Sequence, residues 1–209
     1  MKRRQILITG VTAAGLSLGA AAVLRVPEAR AEEAPVTESD RVLGAADAPV
    51  TIIEYASLTC PHCANFHSDT LPDIKKDWIE PGKARLVYRD FPLDGLALRA
   101  AALAQCVEGE RYFSFLETLY RSQAKWSRAP DPVKALAQIS RLAGIDQETF
   151  DACISDKERL DAILQTQIKG KDAFGIQSTP SFIVNGRKVE GAKTTEQFEK
   201  ILQEAESKS

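Results

Sequence analysis

Two cysteines stand two residues apart in the run Cys60-Pro61-His62-Cys63, a spacing that serves thiol–disulfide exchange and also begins many zinc sites. Exchange proceeds by attack of a thiolate on a disulfide sulfur, so the attacking cysteine needs an accessible sulfur and a stabilised anion. Cys60 has both if a helix starts here. It would stand at the amino end, where free backbone N–H groups and the helix dipole favour negative charge, with Pro61 suited to the first helical position. Cys63, one turn inward, is then the resolving partner. His62 can give the Cys60 thiolate a hydrogen bond or a positive charge, which stabilises the reduced protein and makes a stronger oxidant. A closed zinc site needs two more ligands. The local candidates, His62 and His67, lie inside the loop and on the same short helix, and the chain has no second C-x-x-C. The pattern therefore reads as a redox pair with no metal and no cofactor. His67 reads as a helix-surface residue without a role.

The neighbouring residues supply elements that can hold such a pair. Val50-Thr51-Ile52-Ile53-Glu54-Tyr55-Ala56 is β-branched and apolar, a buried strand that ends at Ser57-Leu58-Thr59 just before Cys60. Phe66, Leu71, Ile74 and Trp78 then recur at near-helical spacing, with Pro72 as a kink and Pro81-Gly82 as the stop. Residues 84–91 read as a second strand, completing a β-α-β unit. From about Leu96 to Phe174 the pattern is helical: Leu98 to Cys106, Arg111 to Gln123, Val133 to Leu142, and two more helices around Phe150 and Ile163. Ser181 to Val184, the Asn185-Gly186 turn and Arg187 to Val189 form a hairpin signal, and Thr194 with Gln197 caps a last helix to about Ala205. The fold class is α/β, a split sheet domain of residues 48–95 and 175–209 interrupted by a helical insertion at 96–174.

The chain opens with Lys2, Arg3 and Arg4, continues with an apolar stretch from Ile6 to Leu24, and reaches Ala29-Arg30-Ala31. That is the layout of a signal peptide over residues 1–31, cleaved after Ala31; Arg3-Arg4 matches a twin-arginine signal in part. An uncleaved membrane anchor is the competing reading, since the apolar stretch is nearly long enough to span a bilayer. Residues 32–47 read as an extended leader. Removing five basic residues and one acidic residue leaves 22 and 28, a net charge of −6, which argues against nucleic acid as a partner. All four cysteines, Cys60, Cys63, Cys106 and Cys153, fall in the exported part, where disulfides form, and four cysteines allow three pairings.

With these residues in view, the chain resembles the DsbA-like family of periplasmic dithiol oxidases over nearly all of its mature length. Cys60-Pro61-His62-Cys63 carries the family's Pro-His pair. Glu54, six residues before Cys60 on the preceding strand, occupies the position of the family's buried acid, which helps proton transfer to and from the inner cysteine. Thr179-Pro180, just before the hairpin, looks like the family's cis-proline loop, which faces the active cysteines and offers backbone to an extended substrate. The resemblance implies a thioredoxin fold with an inserted helical subdomain. It implies a monomeric periplasmic enzyme that oxidises unfolded or reduced secreted proteins and is itself reoxidised by a quinone-linked membrane partner of the DsbB type. Cys106 and Cys153, both in the helical stretch, are expected to form a structural disulfide, an extra pair that resembles a subset of the family; a second redox relay is the competing reading. Threonine before the proline also resembles disulfide isomerases, so the same site working in the other direction, as a reductase or isomerase, is the alternative. From a different class, the alternative is a non-catalytic chaperone-like or metal-binding module.

Overall fold

The computed structural model describes residues 35–109 and 111–209. The expected signal peptide and its cleavage site at Ala31 lie outside them. No helix among the described residues is long and apolar enough to cross a membrane.

The centre of the molecule is β2 (Val50–Ala56), buried at every position. A run so rich in β-branched residues fits a strand covered on both faces. It pairs in parallel with β3 (Ala84–Asp90) and antiparallel with β4 (Ser181–Val184), while β1 (Arg41–Leu43) and β5 (Arg187–Glu190) form the two edges in the order β1-β3-β2-β4-β5. The β4–β5 turn is Asn185-Gly186, both at positive φ, 43° and 81°, the conformation that tight hairpins demand and that glycine adopts without cost.

Between β2 and β3 the chain is helical from Pro61 to Ile79. Two α-helical pieces, α1 (Pro61–Asn65) and α2 (Leu71–Ile74), alternate with π-helical turns at Phe66–Thr70 and Lys75–Ile79. Pro72 falls in the first turn of α2, where its missing N–H is not needed, and the run continues past it. Between β3 and β4 lie α3 (Gly95–Gln105), α4 (Arg111–Arg121), α5 (Gln123–Ser127), α6 (Pro132–Leu142), α7 (Gln147–Ser155) and α8 (Lys157–Phe174), and α9 (Thr195–Glu206) ends the chain. This is the thioredoxin fold with an inserted helical subdomain.

Alternation along β2 separates the two faces. Ile53 and Tyr55 join Val87, Phe91, Ile176 and Ile183 on one face. Gly170 of α8 meets the Tyr55 ring there: an added Cβ would come within 2.5 Å of it, so only glycine lets α8 approach this closely. Val50 and Ile52 join Phe66, Phe182 and Phe198 on the other face, and Glu54, two residues further along, shares that side.

Within residues 32–47, Arg41–Leu43 is a sheet strand, paired antiparallel so that Leu43 faces Leu86. Arg89 anchors the segment before it, donating to both Asp40 carboxylate oxygens at 2.8 and 2.7 Å and to the Pro35 carbonyl at 3.0 Å.

Candidate active site

β2 ends at Ala56, and the turn that follows is built from short polar residues. Ser57 accepts from the backbone N–H groups of Thr59 and Leu93, and the Cys60 N–H donates to the Ser57 carbonyl. Asp94 caps α3 through the Ala97 N–H and accepts from the Thr59 hydroxyl at 2.7 Å. One carboxylate thus fixes the start of the helical insertion and the residue before Cys60.

Cys60 is the N-cap of α1, in extended conformation, with Pro61 in the first turn. Its sulfur is 3.3 Å from the Thr179 carbonyl oxygen, and the Thr179-Pro180 peptide is cis. Both cysteines are in the dithiol form. Hydrogen bonds from the Cys63 thiol, from Thr179, and from the Cys63 and His62 backbone outweigh burial and lower the Cys60 pKa from 9.0 to about 5. Cys63 is fully buried, and burial first, then its bond to Cys60 and the charge of Glu54, push its thiol far above the ordinary range. The two sulfurs are therefore unlike: one a thiolate at neutral pH, the other a thiol.

Three features differ from what the sequence suggested. The His62 ring is exposed, and the hydrogen bond that this residue gives Cys60 comes from its backbone. His67 is not on the surface: it is 5% exposed, and its Nε2 lies 3.2 and 3.1 Å from the two carboxylate oxygens of the fully buried Glu54. Gln123, which carried no sequence signal, donates both amide hydrogens, to the Leu58 and Cys60 carbonyls, each at 2.9 Å. It ties the insertion to the backbone on either side of Thr59. A cleft of about 360 Å³ opens beside Pro61, lined by Thr59, Asp94, Gln123, Ser127 and Arg128 among others.

Cys106, at the carboxyl end of α3, is bonded to Cys153 on α7, with Cα atoms 6.0 Å apart. The pair packs in the apolar core that also contains Leu103, Phe150 and Ile163.

A family model described as thioredoxin matches residues 36–204. Disulfide bond formation protein D of Bacillus subtilis is 26% identical over 174 residues, 81% of this chain and 78% of that protein. A Rickettsia bellii protein, provisionally named a protein-disulfide oxidoreductase, is 33% identical over 157 residues, 74% of this chain. The chain spans only 55–60% of the length of such Rickettsia relatives. The crystal structure of Wolbachia pipientis alpha-DsbA1 superposes with a TM-score of 0.77 at 34% identity, over 83% of this chain and 94% of that one. Sheet order, inserted helices and these matches agree, and the chain belongs to the thioredoxin family and, within it, to the DsbA-like thiol:disulfide oxidoreductases.

Proposed function

We propose that this protein is an exported dithiol oxidase that introduces disulfide bonds into reduced or unfolded secreted proteins. The observation that carries this reading is the inequality of the two sulfurs. A thiol whose pKa falls from 9.0 to about 5 favours the reduced protein at pH 7 by on the order of 3 kcal/mol, equivalent to about 60 mV of added oxidising power for a two-electron couple. A reduced form stabilised in this way belongs to a donor of disulfides.

In the working direction, a substrate thiolate attacks Cys60 of the Cys60–Cys63 disulfide. The Cys60–Cys63 bond breaks, and Cys63 leaves and takes up a proton, since its buried site does not hold an anion. A mixed disulfide now joins Cys60 to the substrate. A second substrate thiolate attacks the substrate's sulfur in that bond, forms the product disulfide, and releases Cys60 as its stabilised thiolate. An extended substrate segment lies along the backbone at Thr179-Pro180, bound by main-chain hydrogen bonds with little sequence preference. The cleft beside Pro61 takes an adjacent side chain. The protein works as a monomer in the periplasm, released from its signal peptide after Ala31, and a quinone-linked membrane oxidase of the DsbB type restores the disulfide. Cys106–Cys153 is structural.

The test is stoichiometric transfer: oxidised protein is mixed with a reduced peptide bearing two cysteines, and product disulfide is counted. One disulfide per protein is expected, with none from Cys60→Ala, while the Cys60 thiolate of Cys63→Ala, mixed instead with the oxidised peptide, should be trapped as a mixed disulfide. Retained transfer by Cys60→Ala would overturn the assignment.

A further inference from the structure

The exchange cycle moves a proton that neither cysteine can keep. When the dithiol is reoxidised, Cys63 must lose its proton inside the protein before it can attack, and burial opposes the bare thiolate. An acceptor has to be close and also buried.

Glu54 meets that need in position. It stands fully buried on β2, and its charge acts on the Cys63 thiol. A buried carboxylate is costly unless paired and hydrogen-bonded, and here its partner is His67, whose Nε2 lies within 3.2 Å of both oxygens. The imidazole is held in place. It stacks on the Tyr120 ring of α4 at 4.1 Å, meets the Tyr88 ring of β3 edge-on at 5.9 Å, and those tyrosines share a hydroxyl hydrogen bond of 2.7 Å.

The other titratable groups around the pair come from three elements. Tyr88 on β3 and Tyr112 and Tyr120 on α4 are pushed up by burial and stay neutral. Asp90, at the end of β3, is raised by burial to about 6, and Cys63 on α1 is held as a thiol. None of these brings positive charge; Arg41 of β1, its guanidinium 4.9 Å over the Tyr112 ring, acts on Tyr112 and Asp90. His67 is the hydrogen-bond partner of Glu54 among the described residues, and imidazole is the side chain that gains and loses a proton near neutral pH without outside help.

We propose that His67 is a positioning residue for the exchange reaction: it orients the Glu54 carboxylate and shares its proton, so that the two act as one acid–base unit serving Cys63. The step balances. Cys63 S–H gives its proton to the pair, whose charge goes from −1 to 0. The Cys63 thiolate attacks Cys60 Sγ in the mixed disulfide, the new Cys60–Cys63 bond forms, and the bond from Cys60 to the oxidising partner's sulfur breaks, that sulfur leaving with the electron pair. In the oxidising direction the pair returns the proton to Cys63 as it leaves. A lone buried carboxylate would have to accept a full charge change by itself; sharing the proton with imidazole spreads that change over two side chains.

This inference rests on the oxidoreductase reading above, and the experiment separates the two. In the full chain, Cys60 is glutathionylated with glutathione disulfide at about pH 4, and the mixture is jumped to values between about pH 5 and 9. Release of glutathione by Cys63 is then timed in wild type and His67→Gln, which keeps a donor for Glu54 but cannot carry the proton. The wild-type rate is expected to rise with pH through one transition to a plateau. The pair's single proton can sit on either side chain, so replacing the imidazole removes one proton site: in His67→Gln the transition should move to lower pH, and release at the plateau should be about tenfold slower because the remaining carboxylate is the weaker base. The alkylation of Cys60 should be unchanged.

An unaltered profile, or uniform slowing at every pH in step with lost stability, would overturn the role of His67. Failure of Cys60 to take glutathione, or of Cys63 to release it, would instead remove the oxidoreductase reading and this inference with it. Should His67→Gln not fold, the wild type itself answers, because the chain contains only two histidines and both rings can be followed by NMR. The His67 ring signals are expected to differ between the dithiol and disulfide forms, and identical signals in both would also overturn the proposal.

Discussion

The sulfur of Cys60 lies 3.3 Å from the carbonyl oxygen of Thr179, a residue 119 positions further along the chain. The two halves of the sheet domain meet at Cys60, and the stretch of chain between them contains the whole helical insertion. The Thr179 hydroxyl is buried with no partner in the dithiol form, yet a hydrogen bond from Thr179 is among the causes that lower the Cys60 pKa. An orphaned donor beside a sulfur that ionises gains a partner when the anion forms. Thr179→Val, which preserves shape, should raise the Cys60 pKa by about one unit. The pH profile of Cys60 alkylation checks this; an unshifted profile would mean that the hydroxyl does not serve the thiolate.

The lowered pKa also fixes how stability responds to pH. Cys60 ionises at about 5 in the folded dithiol form against 9.0 for an unperturbed thiol. Its contribution is fully present above the unperturbed value and is lost as pH falls from there toward 5, at about 1.4 kcal/mol per unit. Cys63, shifted the other way, acts only above the ordinary thiol range. The disulfide form has neither titration. Denaturant unfolding of both redox forms at about pH 5.5 and 7.5 should therefore show the dithiol form gaining about 2–3 kcal/mol over the disulfide form. A gap that does not change with pH would contradict the thiolate.

Gln123 joins the insertion to the turn before α1 through the two buried carbonyls of Leu58 and Cys60. Gln123→Leu fills similar volume but leaves the Leu58 carbonyl without this donor, while the Cys60 carbonyl keeps the Ala64 N–H at 3.2 Å. The expected cost is about 1–3 kcal/mol of unfolding free energy, read by urea titration, together with a measurable shift in Cys60 alkylation. No change in either would show that the clamp is dispensable.

Replacing both Cys106 and Cys153 with alanine should lower stability by as much as about 4 kcal/mol, the loop-closure value for a separation of 47 residues. Disulfide transfer by the folded fraction should be retained. Lost transfer at an unchanged melting temperature would favour the relay reading instead.

What could be read in the sequence was set by local physics. The β-branched run of β2, the Pro61 start of α1 and the Asn185-Gly186 turn each declare themselves within a few residues. β1 did not, because three residues at a sheet edge, with Val42 partly exposed, carry no alternation long enough to register. His67 was misread for a different reason. Counted back from Leu71, Ile74 and Trp78, a 3.6-residue period puts position 67 on the apolar stripe, but a histidine there gives no apolar signal, and Phe66–Thr70 is a π turn covered on two sides. Phe66 packs on Phe182 and Phe198, and His67 packs on Tyr120. Inserted turns of this type change the phase of a helix and are frequent at functional sites. Gln123 was silent because its partners are backbone carbonyls more than sixty residues away, a relationship that only the folded chain creates.

A pair that gives disulfides away has an oxidising reduction potential. Equilibrating the protein with glutathione buffers and trapping the free thiols yields the reduction potential of the pair. A value at the oxidising end, toward about −120 mV, is expected from the stabilised Cys60 thiolate, whereas a value near about −270 mV would belong to a reductase and contradict the oxidase assignment.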